Sequence, residues 1–110
     1  MTPRVTAEFW VQAYLARLSA EGIFFHIVHR GDATAGAVAV KVADMRGQAS
    51  VFTRSYDAEG KRVWVTHVDA RPEVDADEAI AKQRKFDRDL WVIEVEDPRG
   101  RHMLDQPGLE

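Results

Sequence analysis

Two periods of hydrophobic spacing run through this chain, and the changes from one to the other mark its elements. Val11, Tyr14, Leu15 and Leu18 recur at helical spacing with Ala7 one turn earlier, while Glu8, Gln12, Ala16 and Ser19 fill the opposite side. Thr6 is placed to cap this helix with its hydroxyl, and Gly22 to end it in a left-handed turn. The period then drops to two. Over Ile23 to Arg30, Ile23, Phe25 and Ile27 take one face and Phe24, His26 and Val28 the other. Val38, Val40 and Val42 alternate with Ala37, Ala39 and Lys41, which predicts a strand with one buried face. Further strands are expected over Ala49 to Tyr56 and Arg62 to Val68, separated by turns at Asp44–Gly47 and Asp57–Gly60.

Pro72 breaks this pattern. Asp75 with Glu78 three residues later reads as a capping box opening a second helix, which runs to about Lys85 or Phe86. Its expected inner face is Ala76, Ala79, Ile80, Gln83 and Phe86. Leu90 to Val95 then reads Leu-Trp-Val-Ile-Glu-Val, the most strand-like stretch in the chain. A strand this apolar needs cover on both faces, which places it inside a sheet and not at the edge. Asp97–Gly100 is a turn signal, Arg101 to Leu104 a candidate short strand, and Asp105 to Glu110 a loose tail. The order αββββαβ, with an optional last strand, predicts an α+β fold. It has a mainly antiparallel sheet of five to six strands and two helices covering one face. The helix before Leu90 allows the last strand to return parallel to a neighbour. Residues 1–104 form the expected single domain and 105–110 a flexible tail.

Composition narrows the functional classes. A chain of 110 residues fits one domain, and 45% apolar residues are enough for a core. The net charge of −3 argues against a protein that mainly grips duplex phosphates. There is no cysteine, which removes disulfides, thiolate metal sites and a cysteine nucleophile. No run reaches the roughly 20 apolar residues of a membrane span, so a cytoplasmic protein without a membrane partner is expected. Residues 1–72 carry nine basic and seven acidic side chains, residues 73–97 four and nine. The negative charge therefore gathers around the second helix and the last strand.

Several blocks together resemble the DUF1491 family. They are the helix containing Trp10, Arg30-Gly-Asp32 followed by Gly36-Ala-Val-Ala-Val-Lys-Val42, Trp64, and Phe86-Asp-Arg-Asp-Leu-Trp-Val-Ile-Glu-Val-Glu-Asp97. The likeness extends to about Leu104. It implies a small bacterial protein of no assigned activity and carries over no catalytic residue.

Candidate chemistry is sparse. Asp87, Asp89, Glu94, Glu96 and Asp97 form an acidic set, but Asp87 and Glu94 would lie about 20 Å apart on an extended chain. They are read as turn formers and surface charges, and no metal or cofactor is expected. His26, His29, His67 and His102 are read as surface or cross-strand residues. Asp32 before a strand carrying Lys41 resembles part of a Mg²⁺-dependent nuclease pattern, but Ala39 stands where a carboxylate ligand belongs. Gly31 is expected to supply an unusual backbone angle. Arg30, Lys41, Arg46, Arg54 and Arg62, with Phe52, Tyr56 and Trp64, offer a possible single-stranded RNA platform, set against an ordinary solvated sheet face. Trp91 should be buried with Ile93 and Val95, whereas an exposed Trp64 would mark an interface.

The leading expectation is a non-catalytic binding or assembly module acting through a sheet face or edge, with a protein partner or a second copy. The candidate binding residues are Arg30, Asp32, Lys41, Arg54 and Trp64. Single-stranded RNA association and cation-dependent hydrolysis are the alternatives.

Overall fold

Five strands form one mixed, mostly antiparallel sheet, and two helices complete an α+β fold in the predicted order. The computed structural model describes residues 5–107. The elements are α1 (Ala7–Ala20), β1 (Phe24–His29), β2 (Val38–Ala43), β3 (Gln48–Tyr56), β4 (Arg62–Pro72), α2 (Glu73–Phe86) and β5 (Trp91–Glu96). Across the sheet the order is β1-β5-β2-β3-β4. β5 pairs parallel to β2 and antiparallel to β1, so the most apolar segment is interior, as its composition demands.

The helices lie on opposite faces of the sheet, not on one as expected. Trp10, Val11, Tyr14 and Leu18 of α1 pack with Val38, Val40, Val42, Trp91, Ile93 and Val95. Ala76 and Ile80 of α2 pack with Ala39, Val51 and Val92 on the reverse side. Side chains of a strand alternate between faces, so this division follows directly from the register. β2 is consequently buried along both faces, where alternation alone predicted one. Ala39 is one reason it was hard to see: a small side chain reads as neutral, yet with Ala49 of β3 it lines the layer under α2.

Several boundaries differ from the sequence reading. β4 continues to Pro72, which pairs with Gln48, and α2 begins at the next residue. The helix therefore opens at Glu73 with Pro72 as its N-cap and no side-chain cap, so Asp75 and Glu78 form no capping box. Asp75 instead pairs with Arg71 across the helix start, and acidic residues in the first turn suit the helix dipole. Phe86, assigned to the inner face, is 82% exposed because α2 ends there.

Arg101 to Leu104 is not a strand. Met103 takes a φ of 60°, which breaks extension. The segment is fastened by other means: Tyr14 Oη donates to the His102 carbonyl at 2.7 Å, Leu104 is buried, and the His102 ring lies 4.6 Å from Phe52. Burial raises the Tyr14 phenol above its ordinary value. Within the expected tail, Arg17 donates to the Pro107 carbonyl, and residues 108–110 lie outside the described residues.

Gly31 is needed for space and not for backbone angle, since its φ is not positive. A Cβ there would run into the Asp89 carbonyl and the Trp91 ring, and one at Gly36 would strike the Asp89 and Asp32 backbones. The loop between β1 and β2 is thus pressed against the entry to β5. Asp32 N–H donates to the Asp89 carbonyl at 3.0 Å, and Trp91 Nε1 donates to the Asp32 carbonyl at 2.8 Å.

Two outcomes follow. Gly31→Ala should cost at least about 3 kcal/mol in urea unfolding, the upper end of overpacking, because the added Cβ meets backbone and not a flexible side chain. Gly60→Ala, at φ 78° with open space around it, should cost only the roughly 1–2 kcal/mol of a left-handed residue; equal costs would remove the close-approach explanation. The second concerns Asp97, buried and gripped by Arg101 through both carboxylate oxygens. That grip holds its carboxyl below the ordinary value of 3.8, against the opposing effect of burial. A lowered folded pKa contributes stability that is present above the ordinary value and lost as pH falls through the folded one. The stability gap between the native chain and Asp97→Asn should therefore narrow as pH drops below 3.8, read by denaturant melts in acid.

Candidate functional site

The five sequence-predicted residues fall into three places. Arg30 and Asp32 belong to the loop between β1 and β2. Asp32 Oδ2 accepts from the Thr34 and Ala35 amides at 3.2 and 2.8 Å, which makes it a loop pin. The carbonyls of Ala33 and Thr34 in turn accept from the Glu8 and Ala7 amides, capping the start of α1. Arg30 pairs with Glu8 at 3.3 Å on the surface, its guanidinium 5.2 Å from the Trp91 ring.

Lys41 sits on the opposite face, under α2, with its side chain only 5% exposed. Its ammonium meets Asp77 at 2.7 Å, Glu73 at 2.9 Å and Glu94 at 3.2 Å. Burial alone would lower its pKa, but the three carboxylates together outweigh burial and raise it. The ammonium is therefore permanent at neutral pH and unfit to act as a base. Nor does Lys41 meet Asp32: Trp91, which Asp32 holds, pairs with Val38, about 10 Å along β2 from Lys41. The nuclease-like arrangement is not assembled.

Arg54 and Trp64 do come together. They are direct cross-strand partners between β3 and β4 on the α1 side of the sheet. The Arg54 guanidinium lies 4.6 Å from the Trp10 ring and 4.9 Å from the Trp64 ring, and the two indoles are 5.4 Å apart. Tyr14 stacks on Trp10 at 5.1 Å. Trp64 is thus half-buried beneath a cation and not open to a partner. Beside this stack a cleft of about 460 Å³ opens between α1, the 34–38 loop and the ends of β3 and β4, lined by Arg54 and Arg62. A second groove, of about 670 Å³ along the end of α2, mixes Lys82, His67 and Asp87 and has no single sign of charge.

The proposed RNA platform is dispersed. Phe52 lies against His102, Arg46 donates to the Pro98 carbonyl, and Lys41 is enclosed. The acidic set is scattered likewise: Asp87 accepts from the Asp89 amide in a turn, and Asp97 holds Arg101.

Sequence reasoning missed one grouping, because it needed the strand order. His26 lies opposite Glu94 across β1 and β5, and His26, Glu94 and Glu96 bring donor atoms within 4.8 Å of one another. Those ligand types suit a divalent transition ion, but the Lys41 ammonium already occupies one side of Glu94 and opposes added positive charge. Arg62, read from the alternation as sharing the face of Trp64, is carried to the Arg54 side by the pairing of Arg54 with Trp64.

The Lys41 cluster can be tested by its energetics. Lys41→Met removes the cation common to three carboxylates. It should cost about 2–3 kcal/mol in urea melts, less than a fully buried pair because Glu73 and Asp77 stay half open to water. Adding Glu94→Gln should recover part of that loss; no recovery would mean Glu94 is indifferent to Lys41.

Comparison with known proteins agrees with this architecture. The family model DUF1491, described as a protein of unknown function, matches residues 5–105. The chain is similar to the crystal structure of a DUF1491 family protein from Caulobacter crescentus CB15, at 37% identity and a TM-score of 0.87, over 94% of this chain and 98% of that one. An NMR structure of a DUF1491 family protein from the same organism gives 36% identity and a TM-score of 0.84, over 96% and 97%. Protein Atu0922 from A. tumefaciens shares the fold at 24% identity, with a TM-score of 0.74 and 86% of each chain covered. No curated protein matches. With its family model spanning nearly the whole chain and its sheet superposing on those relatives, this chain belongs to the DUF1491 family.

Proposed function

We propose that this protein is a non-catalytic assembly module that pairs with a second copy of itself through β1. One observation carries the reading. α2 packs against β2, β3 and β4 and leaves the same face of β1 bare, with Phe24 79% and Val28 45% exposed. β1 is also an edge strand with one side unpaired, a ready template for another strand.

Its sequence is self-complementary in the antiparallel sense. A two-fold axis at His26 sets Phe24 opposite Val28 of the second copy on the bare face, and Phe25 opposite Ile27 on the other. Apolar then meets apolar on both faces. Glu94 and Glu96 sit one strand inward, so the carboxylates of the two copies stay about 14 Å apart, at three strand spacings. The bulge between Ile27 and His29 keeps the paired stretch short and the association correspondingly weak. A charged, cysteine-free chain of this kind suits the cytoplasm.

The other readings have less support. Against a hydrolase stand the Asp32 carboxylate, committed to loop amides, and the Lys41 ammonium, committed to three carboxylates. Against a single-stranded RNA platform stands the enclosure of Trp64 by Arg54 and Trp10.

Sedimentation equilibrium should give a reversible dimer with a Kd between about 10 µM and 1 mM. Phe24→Asp should abolish it with little change in thermal stability, since the ring is solvent-exposed in the single chain. A monomer at about 1 mM, or a dimer indifferent to Phe24→Asp, would sink the idea.

A further inference from the structure

At the far end of the sheet from β1, we propose that the cleft lined by Arg54 and Arg62 binds a small phosphate monoester. Antiparallel pairing of β3 with β4 sets Arg54 opposite Trp64 and Tyr56 opposite Arg62. Arg62, two residues before Trp64, thereby shares its side of the sheet with Arg54. Both arginines line the cleft of about 460 Å³, and no carboxylate is among its described lining. The nearest acidic side chain in sequence, Glu8, is turned to Arg30 instead.

The charge and shape of that lining select the ligand. Two guanidiniums in the lining suit the roughly two negative charges of a phosphate monoester near neutral pH. Arginine presents a planar fork suited to two phosphate oxygens, and a guanidinium held against indole rings gives up little freedom on binding. Val5, Ala7, Ala37 and Val38 add apolar surface to the lining, which favours an ester with an organic body over the bare ion. The volume falls in the roughly 300–1,000 Å³ range of small-molecule sites. This inference is independent of β1 pairing, because β1 and β4 are the two opposite edges of the sheet.

The test is an NMR titration of the full chain with AMP, adenosine and inorganic phosphate at fixed ionic strength. AMP should move the Trp10 and Trp64 indole resonances and the Ala35–Val38 amides in a saturable way below about 10 mM, and adenosine should not. Arg62→Ala, at the half-buried start of β4, should weaken AMP at least about tenfold, the loss expected for a charge-assisted contact. Its unchanged spectrum elsewhere would confirm that it folds. Equal affinity for AMP and inorganic phosphate would keep the anion site but overturn the ester. Equal responses to AMP and adenosine, binding unchanged in Arg62→Ala, or a response only to a single-stranded oligonucleotide would each overturn the proposal.

Discussion

Two neighbouring parallel strands, β2 and β5, are enclosed on both faces, and the rest of the molecule is arranged to enclose them. Water must be kept from Val38, Val40, Val42, Trp91, Ile93 and Val95 on one side and from Ala39 and Val92 on the other. Burying each large apolar side chain is worth about 1.5–3 kcal/mol, so one helix per face is a strong requirement of the pair. With two helices among the described residues, that requirement leaves neither to cover β1 on the α2 side. The bare strand is what remains when the centre has taken all the cover.

The same enclosure explains Lys41. A lysine on the α2 face of a fully buried strand has to find compensation, and α2 supplies it through Glu73 and Asp77, with Glu94 from β5. Such an arrangement contributes little net stability compared with replacing the cation and all its carboxylates together by apolar residues, but it penalises any other seating of α2 strongly. The charge thus fixes the position of a helix whose apolar contact, through Ala76 and Ile80, is small.

How much of this was legible in the residues depends on the distance over which each feature is decided. Thr6, Gly22 and the Asp57 turn are local, and their capping and turn chemistry appears as read. The interior position of Trp91, Ile93 and Val95 was also legible, because no partial cover suits that composition. The opposed helices were not, since nothing in a helix names the face of a sheet that it will meet. Lys41 was read as a potential reactive group because its three partners lie 32, 36 and 53 residues away along the chain. Arg54 and Trp64 were placed in one candidate set from composition, and hairpin pairing put them in contact. Gly31 was given the right residue type for the wrong reason: spatial crowding by Asp89 and Trp91, not a positive φ.

The passage from β4 to α2 has a mechanical consequence. Pro72 is at once the last paired residue of the strand and the cap of the helix, with no connecting loop between them. Glu73, the first helical residue, holds both the Gly47 carbonyl and the Lys41 ammonium. There is no slack in that joint. A load applied along the outer strand would therefore reach the interior lysine within one residue, making the edge of the sheet and its charged centre a single lever.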